Sequence, residues 1–163
     1  MSAIDELVEN AKRYRERFDR GSLPLPPSKR VAIIACMDAR LNPYKLLGLE
    51  EGDAHIIRNA GGVVTDDEIR SLAISQRLLG TEEVMLIHHT DGGMLTFTDD
   101  EFHDACEEDT GVRPTWAVET FADVDENVRE SIRRIVESPF IPRKDGVRGF
   151  VYDVETGGLR EVI

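Results

Sequence analysis

EEVMLIHHTDGGM, residues 82–94, decides how the chain is built. Val84-Met85-Leu86-Ile87 is a continuous apolar run of strand length, as expected for a strand buried on both faces. It delivers His88, His89 and Asp91 to a strand end, and Gly92 and Gly93 follow at once. A histidine pair at such an end suggests a metal, yet the glycines after it have no side chain to bind one. RVAIIAC, residues 30–36, is a second run of the same kind, and it leads into Met37, Asp38, Ala39 and Arg40. AHIIRNAGG, residues 54–62, reads as a third strand closed by a turn.

Helical signals alternate with these strands. Thr65 and Glu68 have capping-box spacing, Ile69, Leu72, Ala73, Gln76 and Leu79 keep the helical period, and Gly80 stops it. Thr98 and Glu101 repeat the box before a shorter helix, FHDACEEDTG. VDENVRESIRRIVES places Val124, Val128, Ile132 and Ile135 on one face. GFVYDVETGGLREVI then reads as a strand, a turn and a short return strand. The alternation predicts an α/β fold, a mostly parallel central sheet flanked by helices.

Ser2 caps a further helix, with Ile4, Leu7, Val8, Ala11, Tyr14 and Phe18 on a helical period, and Gly21, Pro24, Pro26 and Pro27 break it. Residues 1–28 are therefore expected to form an N-terminal helical arm and Pro-rich linker on a single domain spanning 1–163. A helix set apart in this way is expected to lie against a partner subunit.

Composition bounds the function. At 163 residues the chain is long enough to bury a core without disulfides, and only Cys36 and Cys106 are present. No apolar run reaches the roughly 18 residues of a membrane span. The charged N-terminus has no signal core, so a reduced cytoplasm is the expected location. Net charge is −12, and the 20 basic residues are 16 Arg and 4 Lys. Such an acidic surface argues against nucleic acid or an anionic membrane as partner, and scarce lysine suggests a halophilic surface.

In open parallel sheets, ligands bind outside the carboxyl ends of the strands. If CMDAR stays extended, alternation puts Cys36, Asp38 and Arg40 on one side, opposite His89. Alone, Cys36 would be a small buried hydrophobe and Asp38–Arg40 a structural ion pair. Their joint arrival at a sheet end with His89 points to a site. His88 faces the other way on alternation, as a packing histidine. His103 and Cys106, spaced i, i+3, make at most half a metal site, His55 reads as structural, and RNAGG offers turn amides.

CMDAR matches the Cys-x-Asp-x-Arg motif of the beta-class carbonic anhydrases, and HTDG, residues 89–92, stands where that family has His-x-x-Cys. RNAGG, SLAISQRLLGTEEVMLIHHTD and GFVYDVETGGL follow in the family's order, so the chain resembles the family from about Lys29 to its C-terminus. The resemblance implies a zinc enzyme that reversibly hydrates carbon dioxide to bicarbonate, as a homodimer or larger assembly with sites at the subunit interface. It implies Cys36 and His89 as zinc ligands, Asp38 paired with Arg40 as the catalytic dyad, and Asn59, Ala60 and Gly61 as walls of the substrate pocket.

Gly92 departs from the pattern, because the family's second zinc thiolate belongs there. Two protein ligands do not hold zinc, since structural sites use four and catalytic sites usually three. Asp38 turning onto the metal would supply the third and would leave Arg40 without its partner. Asp91, His88 or Cys106 approaching is a second solution. A site without metal, in a non-catalytic relative serving as a binding or regulatory module, is the third. Carbon disulfide stays open as a substrate. A thiolate phosphatase or sulfurtransferase is disfavoured, because its anion loop needs a longer spacer between Cys and Arg than the three residues present.

Overall fold

Each strand read from the sequence forms, and the sheet they build has a switch in direction at its centre. A computed structural model describes the whole chain, Met1–Ile163. The strands are β1 (Val31–Cys36), β2 (Ala54–Asn59), β3 (Glu83–His89), β4 (Val147–Tyr152) and β5 (Leu159–Val162). Their order is β2-β1-β3-β4-β5, with the first three pairings parallel and β5 returning antiparallel on β4. The chain steps from β1 to β2 on one side and then crosses to β3 on the other. The connections leaving β1 and β3 therefore part from each other, which opens a crevice at the strand ends.

Five α-helices accompany the sheet: α1 (Ala3–Glu16), α2 (Pro43–Leu47), α3 (Asp66–Leu79), α4 (Asp99–Thr110) and α5 (Val124–Glu137). The α/β class, the parallel sheet with flanking helices and the N-terminal helical arm all match the sequence reading. Alternation along the strands divides the core into two layers. Ala32, Ile34, Val84 and Leu86 pack with Leu72 of α3, Ile135 of α5, Val64 and Ile141. Ile33, Ala35, Cys36 and Ile87 pack on the opposite face with Leu41 and the half-buried Leu46 and Leu47 of α2.

Helix ends follow the local chemistry. The Glu68 carboxylate accepts from both the amide and the hydroxyl of Thr65 at the start of α3, and Gly80 ends that helix in the left-handed region. The Thr98 hydroxyl accepts from the Glu101 amide at 3.1 Å, so α4 begins at Asp99, ahead of the predicted start. The sequence reading missed α2. Its signals were present: the Asn42 side chain caps it, Pro43 opens it and Gly48 closes it. Helix α1 buries none of its residues: Ile4, Leu7, Val8 and Tyr14 stay exposed along it, as does Phe18 just beyond its end.

Candidate active site

Strands β1 and β3 bring a thiol and an imidazole together at the crevice. The Cys36 Sγ and the His89 Nε2 lie 3.1 Å apart, and both side chains are buried. The Nδ1–H of His89 donates to the Thr90 carbonyl at 2.6 Å, which leaves Nε2 as the ring atom facing the thiol. Burial pushes the Cys36 thiol up, but the hydrogen bond with His89 and those from the Asp38 and Gly61 amides outweigh it, and the net shift is downward. His89 is shifted upward, chiefly by its bond to Cys36 and against its own burial. The two opposite shifts have one main cause in common, the hydrogen bond between the thiol and the imidazole.

Asp38 and Arg40 reach this pair by a different route from the extended one expected. The strand stops at Cys36. The Asp38 Oδ1 then accepts from the Arg40 amide at 2.8 Å and the Asp38 carbonyl accepts from the Leu41 amide at 3.1 Å. A short polar side chain that captures the backbone two residues ahead turns the chain, and this turn replaces strand alternation. It sets the guanidinium against the carboxylate: Nε donates to Oδ1 at 3.0 Å and Nη2 to Oδ2 at 2.8 Å. This fork holds the Asp38 carboxyl far below the usual carboxylate range. The same Oδ2 that accepts from Arg40 also faces the histidine, 3.6 Å from His89 Nε2.

Two further contacts were invisible in the sequence. Arg40 Nη1 donates to the Asp91 carboxylate and Nη2 to the Asp91 carbonyl, both at 2.9 Å. From β2, Arg58 donates to three successive parts of the turn: the carbonyl of Cys36 at 3.0 and 2.7 Å, that of Asp38 at 2.9 Å and that of Leu41 at 2.8 Å. The glycine turn after β2 presses on the same place. A Cβ on Gly62 would lie 3.0 Å from the Cys36 amide nitrogen and 3.2 Å from the Ile87 carbonyl, at φ +68°, so only glycine fits there without strain.

Cys36, Asp38 and His89 form the floor of a cavity of about 580 Å³ whose walls include Met37, Met94, Phe97, Phe102, Trp116 and Val118. The loop carrying Trp116 and Val118 is pinned to α4, because the Asp99 carboxylate accepts from the amides of Val118, Glu119 and Thr120. His103 supports the same wall by donating to the Trp116 carbonyl at 2.8 Å. These aromatic residues lie in loops and on α4, where no period marks them as cavity lining. Ala60 and Gly61 line the cavity. Asn59 does not. Its side-chain amide turns away to donate to the Val63 carbonyl at 2.7 Å.

The proposed substitutes for the missing thiolate fare differently. His88 faces the other side of the sheet, where it meets Asn127 at 2.7 Å, and burial lowers its basicity. The Asp91 carboxylate is turned onto Arg40, and Cys106 is not among the cavity walls. Asp38 is the remaining anionic donor beside the Cys36–His89 pair. Tetrahedral zinc with ordinary bond lengths sets a sulfur and a nitrogen ligand about 3.5 Å apart. The 3.1 Å from thiol to imidazole is a direct hydrogen bond, both Asp38 oxygens are taken by Arg40, and no three such side chains stand grouped around a metal position, so Asp38 would have to leave Arg40 to complete a zinc site. The donor set, thiolate, imidazole and carboxylate, is one that zinc accepts.

Comparison with known proteins agrees with this geometry. The family model for carbonic anhydrase matches residues 31–124. Beta-carbonic anhydrase 1 of Mycobacterium tuberculosis is 59% identical over 162 residues, covering 99% of each chain. Carbon disulfide hydrolase of Acidithiobacillus thiooxidans is 32% identical over 181 residues, covering 98% of this chain and 90% of its own. The crystal structure of carbonic anhydrase from Streptococcus mutans superposes with a TM-score of 0.94 at 46% identity, covering 100% of this chain and 99% of that one. With its switch-point crevice, its Cys-x-Asp-x-Arg turn and these relatives, the chain belongs to the beta-class carbonic anhydrase family.

Proposed function

We propose that the chain catalyses the reversible hydration of carbon dioxide to bicarbonate, with Cys36, His89 and Asp38 as the residues that hold zinc. Beta-class carbonic anhydrases are zinc enzymes, and the observation that carries the reading is the buried thiol–imidazole pair with a carboxylate beside it on the floor of an apolar cavity. Zinc, when bound, supplies the acidity that lets a water ionise near pH 7. The remaining work falls to the chain's own side chains. Thr90 orients the His89 ring so that Nε2 is the binding atom. The aromatic and methionine walls admit a small uncharged molecule and keep bulk water out. Arg40 holds both Asp38 oxygens and would have to release the carboxylate for it to bind zinc. Ala60 and Gly61 close the back of the pocket, against the thiol.

The test is zinc content and carbon dioxide hydration on the same purified chain. Bound zinc with hydration well above the buffer rate is the expected result. A chain that carries no zinc and hydrates nothing would replace this reading with that of a binding or regulatory module. Zinc with turnover of carbon disulfide in preference to carbon dioxide would move the substrate and keep the site.

The reading takes residues 1–163 as one domain that works as a homodimer, with the exposed apolar face of α1 covered by the second copy. It places the protein in the cytoplasm, away from nucleic acid and membranes. The net charge of −12 and the two unpaired cysteines support that placement, and no helix is long and apolar enough to cross a membrane.

A surface suited to high salt completes the reading. Helix α4 carries Asp99, Asp100, Glu101, Asp104, Glu107, Glu108 and Asp109 with no basic residue in its last turn. The acids near its C-terminus face the negative end of the helix dipole, a repulsion that salt screens. Melting temperature should rise between about 0.1 M and 1 M potassium chloride, as the screening length falls from ~10 Å to ~3 Å. A flat or falling curve would leave an acidic protein without salt adaptation.

A further inference from the structure

Residues 111–123 form neither helix nor strand, yet they supply part of the outer wall of the reaction cavity. Trp116 and Ala117 line that cavity, of about 580 Å³, and they also line a second hollow of about 860 Å³. The two spaces differ in chemistry. Apolar side chains make up most of the first, whereas Asp66, Asp67, Glu119, Arg134 and Glu137 bound the second. Trp116 and Ala117 therefore stand between an apolar chamber and one whose charged groups hold water.

A segment without ladder hydrogen bonds keeps such a position only through other anchors. Asp99, the first residue of α4, is the main one. Its Oδ2 accepts from the Val118 amide at 2.9 Å and the Glu119 amide at 3.3 Å, and its Oδ1 accepts from both the amide and the hydroxyl of Thr120. Three successive amides converge on one carboxylate because Glu119 lies in the left-handed region at φ +68°, which is uncommon for a residue with a side chain. A backbone concavity of this kind binds an anion. Without one, the converging N–H groups would repel each other, so the strained turn needs the charge of Asp99. Two smaller ties flank it: His103 donates to the Trp116 carbonyl at 2.8 Å, and Arg134 pairs with Glu119 at 3.2 Å.

We propose that Asp99 is a positioning residue for carbon dioxide hydration: through the 118–120 amides it holds Trp116 as the partition that keeps the reaction cavity apolar and apart from the charged hollow. The kinetic part of this inference rests on the hydration reading, while the structural part rests on the loop alone. An apolar chamber favours an uncharged substrate before and during reaction alike, so loss of the partition weakens substrate binding more than the chemical step.

The test compares the full-length native chain with D99N, W116A and D99N/W116A, all supplied with zinc. Asn keeps the size of the side chain but leaves one oxygen and turns an NH2 group toward backbone donors. Thr98 still caps α4 and Asp100 and Glu101 remain in its first turn, so D99N retains the helix, and a melting curve checks it. In stopped-flow hydration, D99N should raise KM for carbon dioxide about fourfold, the worth of roughly one CH2-sized apolar contact, with kcat within about twofold. Trp116 is the only tryptophan of the chain, so its emission reports the loop directly, and its anisotropy should fall in D99N. In W116A the partition is already gone, and adding D99N should change KM by less than about twofold. A folded D99N with native KM and native anisotropy overturns the proposal. So does a rise in KM of equal size with and without Trp116, which would give Asp99 another route to the site. If the native chain hydrates nothing, the hydration reading falls and anisotropy alone decides: a fall in D99N keeps Asp99 as the holder of the wall, and an unchanged value removes it. Should D99N unfold, Thr120→Ala removes one donor and spares the carboxylate; smaller changes of the same sign support the proposal, and none in either readout overturns it.

Discussion

Gly92→Cys is expected to bring zinc to one per chain and to raise carbon dioxide hydration by about 10–100-fold or more, at least what losing an outer-shell partner costs a metal site. The backbone at position 92 is extended, with φ −88° and ψ 147°, so a cysteine fits there without strain. A Cβ built on Gly92 meets His89 Cε1 at 3.3 Å and lies 3.7 Å from Nε2. The imidazole must give by a few tenths of an ångström, and a sulfur one bond further out then reaches the atoms that Cys36 and His89 present. The site would hold two thiolates and an imidazole, with Asp38 free to stay on Arg40 and a fourth zinc position open to water. Metal analysis and stopped-flow hydration check the outcome, with a melting curve to confirm folding. A folded variant that gains no zinc would show that position 92 does not face the metal. A native chain already loaded and fast would leave no gain to observe, and would assign the third position to Asp38.

Deleting residues 1–22 is expected to halve the apparent mass in size-exclusion chromatography, or to send the chain into aggregates. Helix α1 is capped at both the amide and side chain of Ser2, so it is a formed helix even though it buries no residue. Its ties to the rest of the chain are polar and exposed, the Tyr14 hydroxyl on Glu51 at 3.2 Å and, just beyond the helix, Arg20 on Glu50 at 3.0 Å. Contacts of that kind, between exposed groups screened by solvent, contribute little. Full burial of a single Leu or Phe side chain contributes about 1.5–3 kcal/mol, and a two-fold pair of arms would bury each of Ile4, Leu7, Val8 and Phe18 twice. The arm therefore outweighs its own tethers by enough to decide the assembly. An unchanged elution volume would reassign its apolar face.

Most of the fold was legible because β1 and β3 carry unbroken apolar runs, the other strands are bounded by turn signals, and each long helix has a capped, periodic pattern. β1, β3 and α5 needed nothing beyond their own residues. Helix α2 was missed because five residues carry too little periodicity, although Asn42, Pro43 and Gly48 marked its ends. Cys36, Asp38, Arg40 and His89 were legible as a group, while the path that joins them was not: the Asp38 carboxylate bends the chain where alternation would have kept it straight. Arg58 and Asp91 stayed hidden because their roles depend on loops that meet only in three dimensions. Asn59 was misplaced for a related reason, since its partner is the Val63 carbonyl, further along its own turn. The cavity's aromatic walls follow from how α4 and the loop after it fold over the site, a matter of tertiary packing that local pattern does not encode.

The Arg58 clamp bears on how the protein responds to metal loss. Its guanidinium gathers the carbonyls of Cys36, Asp38 and Leu41, so the shape of the ligand loop is set by contacts between protein groups. In small zinc domains the ion is the scaffold, and chelators unfold them. Here the scaffold is an arginine on the neighbouring strand. On the proposed zinc-dependent reading, metal affinity and folding stability are therefore separate quantities, and a chelator is expected to abolish hydration without melting the fold.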